Sequence, residues 1–383
     1  MDQKGFAPKP KTTAPEAVKA PNPSLPKGGG AVRGLGEKFA ASLVSGTGTL
    51  TIPIAVSPGR GGSAPEVSLS YDSGAGNGPF GAGVRLSVPQ ISRKTDKGLP
   101  QYDDAHESDV FVLSEAEDLV PALRSNGTLD RFDDGDETVQ RYRPRVEGAF
   151  ARIERRQHRT SGTVHWRVVT GDNVTRIYGR SPGAGIADPD APRHVFTWLL
   201  EETRDDRGNV ITYEYKAEDL VGVSRTAPHE AHRHAGKTLI TNRYLKRIRY
   251  GNAVPGDASG IMLFEVVFDY GEHDVDAPTP DEIMPWPCRK DPFSVYRAGF
   301  DVRTYRLCRR VLMFHHMPEL GEAPCLVRAT EFGYAEDPVL TRLVTVTQAG
   351  YRRDPSTLAY TRKALPPLEL GYSLPVIETA VHT

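Results

Sequence analysis

Cysteine is scarce in this chain: Cys288, Cys308 and Cys325 are the only three in 383 residues. An odd number without Cys-x-x-Cys spacing argues against a disulfide framework and leaves room for one bridge at most. The better reading is small buried hydrophobes in a chain folded in a reducing compartment. A surplus of one charge is also missing, since 48 Lys and Arg stand against 49 Asp and Glu. No net field is therefore available to recruit nucleic acid or an anionic membrane. Long apolar runs are absent too. Residues 1–30 contain no core of signal-peptide length, and no later segment approaches a membrane span. The expectation is a protein made in a reducing cytoplasm, with release by a dedicated route or lysis rather than through a classical signal peptide, and without membrane insertion by this segment. Apolar residues make up only 38% of the chain, whereas Gly (37) and Pro (31) are plentiful. That balance favours strands and turns over helices.

What is present confirms the bias. Residues 1–30 are rich in Pro and Lys and end in Gly28-Gly29-Gly30, the composition of a disordered or extended leader. The stretch Gly34–Asp103 then alternates short strands with glycine turns, and the rest of the chain is read as organised around it. Thr49, Thr51, Ile52, Ile54 and Val56 form a β-branched run broken by Pro53, while Val67, Leu69 and Tyr71 alternate with polar residues, as do Val84, Leu86 and Val88. Pro53 and Pro89 suggest strand ends or edges. Gly59, Gly61, Gly62, Gly74, Gly76 and Gly78 are expected to supply the positive φ of tight reversals. A phosphate loop is the competing reading of that glycine content. It fails because no Gly-Lys-Ser/Thr closes the stretch, and Pro79, Gly81 and Gly83 stop a helix from starting after Gly78.

Further on, Asp109–Pro121 reads as a strand and turn with Val110, Val112, Phe111 and Leu113 suited to burial. Asn126-Gly127 and Asp133-Asp134-Gly135-Asp136 are hairpin signals, and the latter lacks the register of a calcium loop. Arg143, Arg145, Arg152, Arg155, Arg156 and Arg159 are balanced by acids such as Glu147 and Glu154, which describes a salt-bridged β surface rather than a nucleic-acid face. At Asp206–Tyr215 a turn at Gly208-Asn209 leads into a strand with Tyr213 and Tyr215 on one face. Echoes of that unit recur at Arg247–Asn252, Phe264–Gly271 and Glu331–Tyr334. Hairpins of this kind stack side by side into a curved, continuous sheet.

The runs SLPKGGGAVRGLGEKFA, SGTGTLTIPIAVSPGR, SLSYDSGAGNGPFGAG and ISRKTDKGLP resemble the SpvB-type domain that opens the B component of bacterial insecticidal toxin complexes (Tc toxins). The likeness continues through ESDVFVLSEAEDLVP, YLKRIRYGN, LFEVVFDYGEH, WPCRKDPFSVYRAGFDVRTYRLCRRVLMFHH and LPPLELGYS, so it spans nearly everything from Ser24 to Ser373. The unit at Asp206–Tyr215 is similar to the tyrosine–aspartate (RHS) repeat. The resemblance implies an all-β fold of twisted, curved antiparallel sheets of the RHS shell type, with long turns and little helix. It implies a leader over 1–30 and one domain over 31–383, with RHS-like units from about residue 200 onward.

Family members also include a virulence-plasmid protein that carries a mono-ADP-ribosyltransferase with a Glu-x-Glu signature, which gives Glu115-Ala116-Glu117 a second meaning. In that family the transferase is a separate C-terminal domain, so a solvated turn is the reading here. His229, His232 and His234 have the one plausible metal-ligand spacing, but no regular element brings all three together, and Arg225, Glu230 and Arg233 mark an exposed loop. His315-His316 reads as strand packing, and Cys308 lacks a histidine base at motif spacing. Val302, Thr304, Arg306 and Cys308 on one face, with Tyr305 and Leu307 on the other, suggest one strand buried on both sides.

No catalytic, cofactor-binding or metal residue is therefore expected. The resemblance implies a structural part of the toxin-complex B component, not an enzyme. It would form wall of a shell that encloses an effector, with an RHS-repeat C component and a pore-forming A component as partners, reached through downstream regions. The alternatives are the N-terminal delivery domain of a transferase toxin and a standalone cell-surface or glycan-binding β protein.

Overall fold

Side-chain alternation of period two needs a neighbouring strand for every backbone N–H and C=O, and this chain finds those neighbours by successive hairpins. The computed structural model describes residues 35–41, 47–114, 118–146, 148, 150–230, 233 and 240–373. The segment 1–30, Glu115, Glu117, Glu147, His232 and His234 lie outside the described residues. Among those described, 24 strands and four short 3-10 turns make up the regular structure, and every strand pairing is antiparallel.

Three parts share one core. A four-stranded sheet comprises Lys38–Ala41, Gly48–Pro53, Ser68–Asp72 and Val84–Leu86. Pro53 ends its strand and Pro89 lies between two strands, where a missing donor costs least. Ile52, Leu69 and Val84 are buried against the main core. The glycine expectation holds only in part: of the six, Gly61 and Gly62 take positive φ, whereas Gly59, Gly74, Gly76 and Gly78 do not. At Gly78 the constraint is space, because a Cβ there would sit 2.7 Å from the Val84 carbonyl oxygen.

The second part is a closed ring of eight strands. It runs Gln90–Arg93, Phe111–Leu113, Asp118–Pro121, Glu137–Pro144, Arg152–His158, Val164–Val169, Thr175–Tyr178 and Val195–Arg204, and the last pairs back onto the first through Trp198 and Ile91. Closure removes sheet edges. The interior is filled by Phe111, Tyr142, Trp166 and Trp198, with ring centroids 4.9 to 5.9 Å apart. Toward one end the inward positions turn polar. Arg93 donates to Asp104 (2.6 Å) and Asp109 (2.8 Å), and Arg155 donates to the same Asp104 (2.7 Å). In the strand Phe111–Leu113 the buried side chain is Phe111, while Val110 is exposed, the reverse of an inward Val110.

Val195–Arg204 also begins the third part, so this strand, rather than Gly34–Asp103, organises the molecule. Its lower half pairs with Val210–Ala217. From there the sheet continues through Arg243–Asn252, Met262–Asp269, Arg310–His315, Cys325–Ala335 and Arg342–Arg353. Asp205 makes the first turn by accepting from the backbone of Arg207 (3.0 Å) and Asn209 (2.8 Å). Ile211, Ile248, Val266, Phe268, Val311 and Met313 face the main core. On the opposite face Val267, Leu312, Phe314, Leu326 and Ala329 form a second cluster.

Two expectations from the sequence are corrected here. Residues 302–308 are largely buried, but the strand stops at Thr304 and a new one starts only at Arg310. The break frees Arg306 to reach inward to Glu218 (Nε to Oε1, 3.1 Å). The loop is exposed at Arg225, Pro228 and His229 as expected, but Glu230 within it is fully buried, since it pairs with Arg303 and accepts from the Tyr305 hydroxyl (2.7 Å).

Candidate functional site: an open sheet edge beside a clamped loop

The large sheet ends in a chain segment that folds along the outer edge of Arg342–Arg353. Tyr360–Ala364 pairs with Ala349–Arg353, and Leu368–Glu369 pairs with Thr345–Val346. Pro366-Pro367 lies between these two pieces, where the lack of N–H donors breaks the strand. Among the described residues no register forms on the far side of Tyr360–Ala364. The side chains from Thr361 to Ala364 are exposed. An edge of this kind can accept a further strand.

Beside it, the loop between Asp269 and Trp286 is clamped across the second face of the sheet. Arg310 donates to the carbonyls of Asp274 (2.8 Å) and Val275 (3.0 Å), and Arg247 donates to that of Pro280 (2.8 Å). The loop's end is fixed by Trp286, stacked on Tyr270 with centroids 4.3 Å apart and flanked by the ammonium groups of Lys216 (4.5 Å) and Lys246 (5.3 Å). Between loop and edge runs a groove of about 650 Å³ whose walls include Val275, Met284, Tyr351, Tyr360 and Arg362.

Beneath the loop lies a cluster of buried charge. Lys246 donates to Nε2 of His273 (2.7 Å) and to the Phe268 carbonyl (3.2 Å), and pairs with Glu272. Arg310 Nε donates to Asp269 (2.6 Å). Burial pushes the Glu272 carboxyl up, but His273 and Lys246 more than offset this and hold it below its ordinary value. Asp269, Glu272 and His273 bring ligand-type atoms within 4.8 Å of one another, yet Lys246 and Arg310 already neutralise that space. No sequence spacing announced this cluster, because Lys246 comes from the middle of a strand. A β-bulge in the pairing with Val210–Ala217 falls there, between Leu245 and Arg247.

The residues singled out in the sequence lie apart. Glu115, Glu117, His232 and His234 fall outside the described residues, and His229 is exposed. His315 shares a hydrogen bond with Ser57 (2.7 Å) and His316 one with Glu265 (2.8 Å), both as parts of strand packing. Cys288, Cys308 and Cys325 are free thiols, and burial holds the Cys308 pKa far above its ordinary value, which disfavours the thiolate. Asn126-Gly127 and Gly135-Asp136 form the turns expected of them. Arg156 joins Asp134 (2.6 Å), Glu137 (2.7 Å) and Glu154 (3.0 Å) in the expected salt-bridged surface.

A ring-closed barrel sharing one strand with a hairpin sheet defines the class: an all-β protein of twisted, curved antiparallel sheets with little helix. The family model described as Salmonella virulence plasmid 65kDa B protein, SpvB, matches residues 42–317, and the chain belongs to that family. Over 354 residues it is 38% identical to the mono(ADP-ribosyl)transferase SpvB of Salmonella choleraesuis (strain SC-B67), covering 87% of this chain and 57% of that protein. The chain thus spans little more than half the length of the curated relatives it matches. Among solved structures, the N-terminal domain of effector protein SpvB from Salmonella typhimurium strain LT2 superposes with a TM-score of 0.72 at 37% identity, over 79% of this chain and 98% of that one. The TcdB2-TccC3 crystal structure gives 0.78 at 36%, over 92% of this chain and 17% of that one. The Photorhabdus luminescens Tc holotoxin pore gives 0.78 at 36%, over 93% and 17%. The matched region is the N-terminal domain of SpvB, related to Tc toxin components.

Proposed function

We propose that this chain is a structural, non-catalytic wall element of a bacterial toxin complex, the opening part of a B-component shell that encloses an effector. The observation that carries the reading is the large sheet, buried on both faces near its middle and, among the described residues, open at Tyr360–Ala364. Such a sheet is built to be continued. Continuation by further hairpins would extend the wall, pair the edge and isolate the enclosed chain. The partners in this reading are a C component, as in the solved TcdB2-TccC3 assembly, and a pore-forming A component reached through regions beyond this domain.

The test is to co-express the native gene product with its C component and challenge the complex with protease. The expected result is an effector segment that resists cleavage until the shell is denatured. An effector cut at the same rate with and without this protein would remove the wall reading. A second reading, a delivery domain ahead of a transferase, is favoured by the 98% coverage of the SpvB N-terminal domain. It predicts a native product with NAD-consuming activity in its downstream part, and none in residues 31–383 alone.

A further inference from the structure

We propose that the outer wall of the barrel carries a binding groove for a dianionic phosphate- or sulfate-type group, independent of any role in a shell. The groove, of about 680 Å³, lies across the strands Glu137–Pro144, Arg152–His158, Val164–Val169, Thr175–Tyr178 and Val195–Arg204. The strands Arg152–His158, Val164–Val169 and Val195–Arg204, with the bend at Arg180, bring four guanidinium groups into it, Arg156, Arg167, Arg180 and Arg204; two carboxylates, Glu137 and Glu202, line it, and two more, Asp134 and Glu154, pair with Arg156.

Both lining carboxylates are already committed. Glu137 accepts from Arg156 Nε (2.7 Å) and faces His165 Nδ1 (3.5 Å). Glu202 is held by Arg204 through both oxygens, one of them at 3.0 Å. Arg167 and Arg180 are left over. Their nearest carboxylates among the described residues are Glu154 at 3.8 Å and Glu202 at 3.9 Å, beyond hydrogen-bond reach. They remain 37% and 52% exposed, so their donors face the groove's solvent.

The cross-strand register gathers these donors. Arg167 lies opposite Ile177, His165 lies opposite Arg156, and Val169 lies opposite Thr175. Two planar forks, an imidazole and the Thr175 hydroxyl therefore border one space floored by Ile177. That donor set, with no acceptor to spare, suits a tetrahedral dianion. The same guanidinium groups act on His165. Burial lowers its imidazole pKa, and Arg180 and Arg156 push it further in the same direction, against the pulls of Glu137 and Glu201.

Two sources share this chemistry: a free inorganic ion and a sulfate ester on a saccharide chain. Calorimetric titration of the full chain with sodium phosphate, sodium sulfate and a heparin-derived hexasaccharide distinguishes them. The expected result is saturable binding, weakened at least about tenfold in Arg167→Gln and in Arg180→Gln, and unchanged in Arg328→Gln, an exposed arginine of the large sheet. Stronger binding of the hexasaccharide than of the ions, with the same dependence on Arg167 and Arg180, assigns the site to sulfated glycan. Equal binding per charge assigns it to the free ion. Thermal midpoints of the variants should match the parent, since neither arginine holds a close ion pair. Binding that is absent, or that survives both substitutions together, overturns the proposal.

Discussion

At the scale of single residues, the buried carboxylates show how this sheet tolerates charge. Glu265 is almost fully buried on the second face, and burial alone would raise its pKa. Hydrogen bonds from His316 and Arg247, with the charges of Arg247 and Arg249, reverse that effect and lower it to about 2. A depressed carboxyl pKa contributes stability that is complete above the unfolded value near 4.5 and is lost as pH falls toward 2. The parent should therefore lose thermal stability relative to Glu265→Gln as pH is lowered from about 5 to about 2, with the two curves parallel above pH 5. Curves parallel throughout would mean that the carboxylate gains nothing from its partners. Gly179 shows a constraint of another kind. Its φ is +65°, and a Cβ would collide with the Trp198 indole, so Gly179→Ala should destabilise by at least about 2 kcal/mol in denaturant titration. Neither residue stood out in the sequence. Glu230 reads as solvated for the same reason that Glu265 escapes notice: the partners that bury it, Arg303 and Tyr305, come from more than 70 residues away, and its near neighbour Arg233 (3.3 Å) gives no local sign of burial.

Among elements, strands were the most legible and loops the least. The hairpin at Asp205–Asn209, the turns at Gly127 and Gly135 and the echoing strands through Tyr334 all follow from local turn chemistry and period-two alternation. The break at Tyr305–Arg309 does not, because a run buried on both sides has the same composition whether it pairs or wraps. The clamped loop between Asp269 and Trp286 was equally hidden, since its anchors are an aromatic stack and arginines donating to carbonyls. Those anchors make a prediction for the element itself. Trp286→Ala removes the surface that stacks on Tyr270 and attracts Lys216 and Lys246, a loss of about 3–5 kcal/mol by analogy with large-to-small core changes. Amide exchange should then quicken across residues 271–285 while the barrel strands between 137 and 178 keep their protection. Uniform loss of protection would show instead that Trp286 supports the whole core.

For the whole molecule, the decisive feature is that closure and openness coexist. The barrel disposes of its edges, but the sheet that grows from the shared strand Val195–Arg204 carries one edge to the surface. The sequence foretold a curved hairpin sheet and not the barrel, because ring closure depends on Trp198 meeting Ile91 across more than 100 residues. An exposed edge invites self-pairing, and this one is guarded by Arg362, Lys363 and the Pro366-Pro367 break. Arg362 is also tied to Glu331 (2.6 Å), so Lys363 is the guard that can be removed with little structural cost. Replacing it by Val adds a β-branched apolar side chain to the edge and takes away its uncommitted charge. Sedimentation velocity of Lys363→Val should therefore show concentration-dependent dimers that the parent does not form. Adding the C component should compete those dimers away if the same edge continues the wall. Dimers that persist at saturating C component would place the wall's continuation elsewhere, and a variant as monomeric as the parent would mean that the edge is already covered.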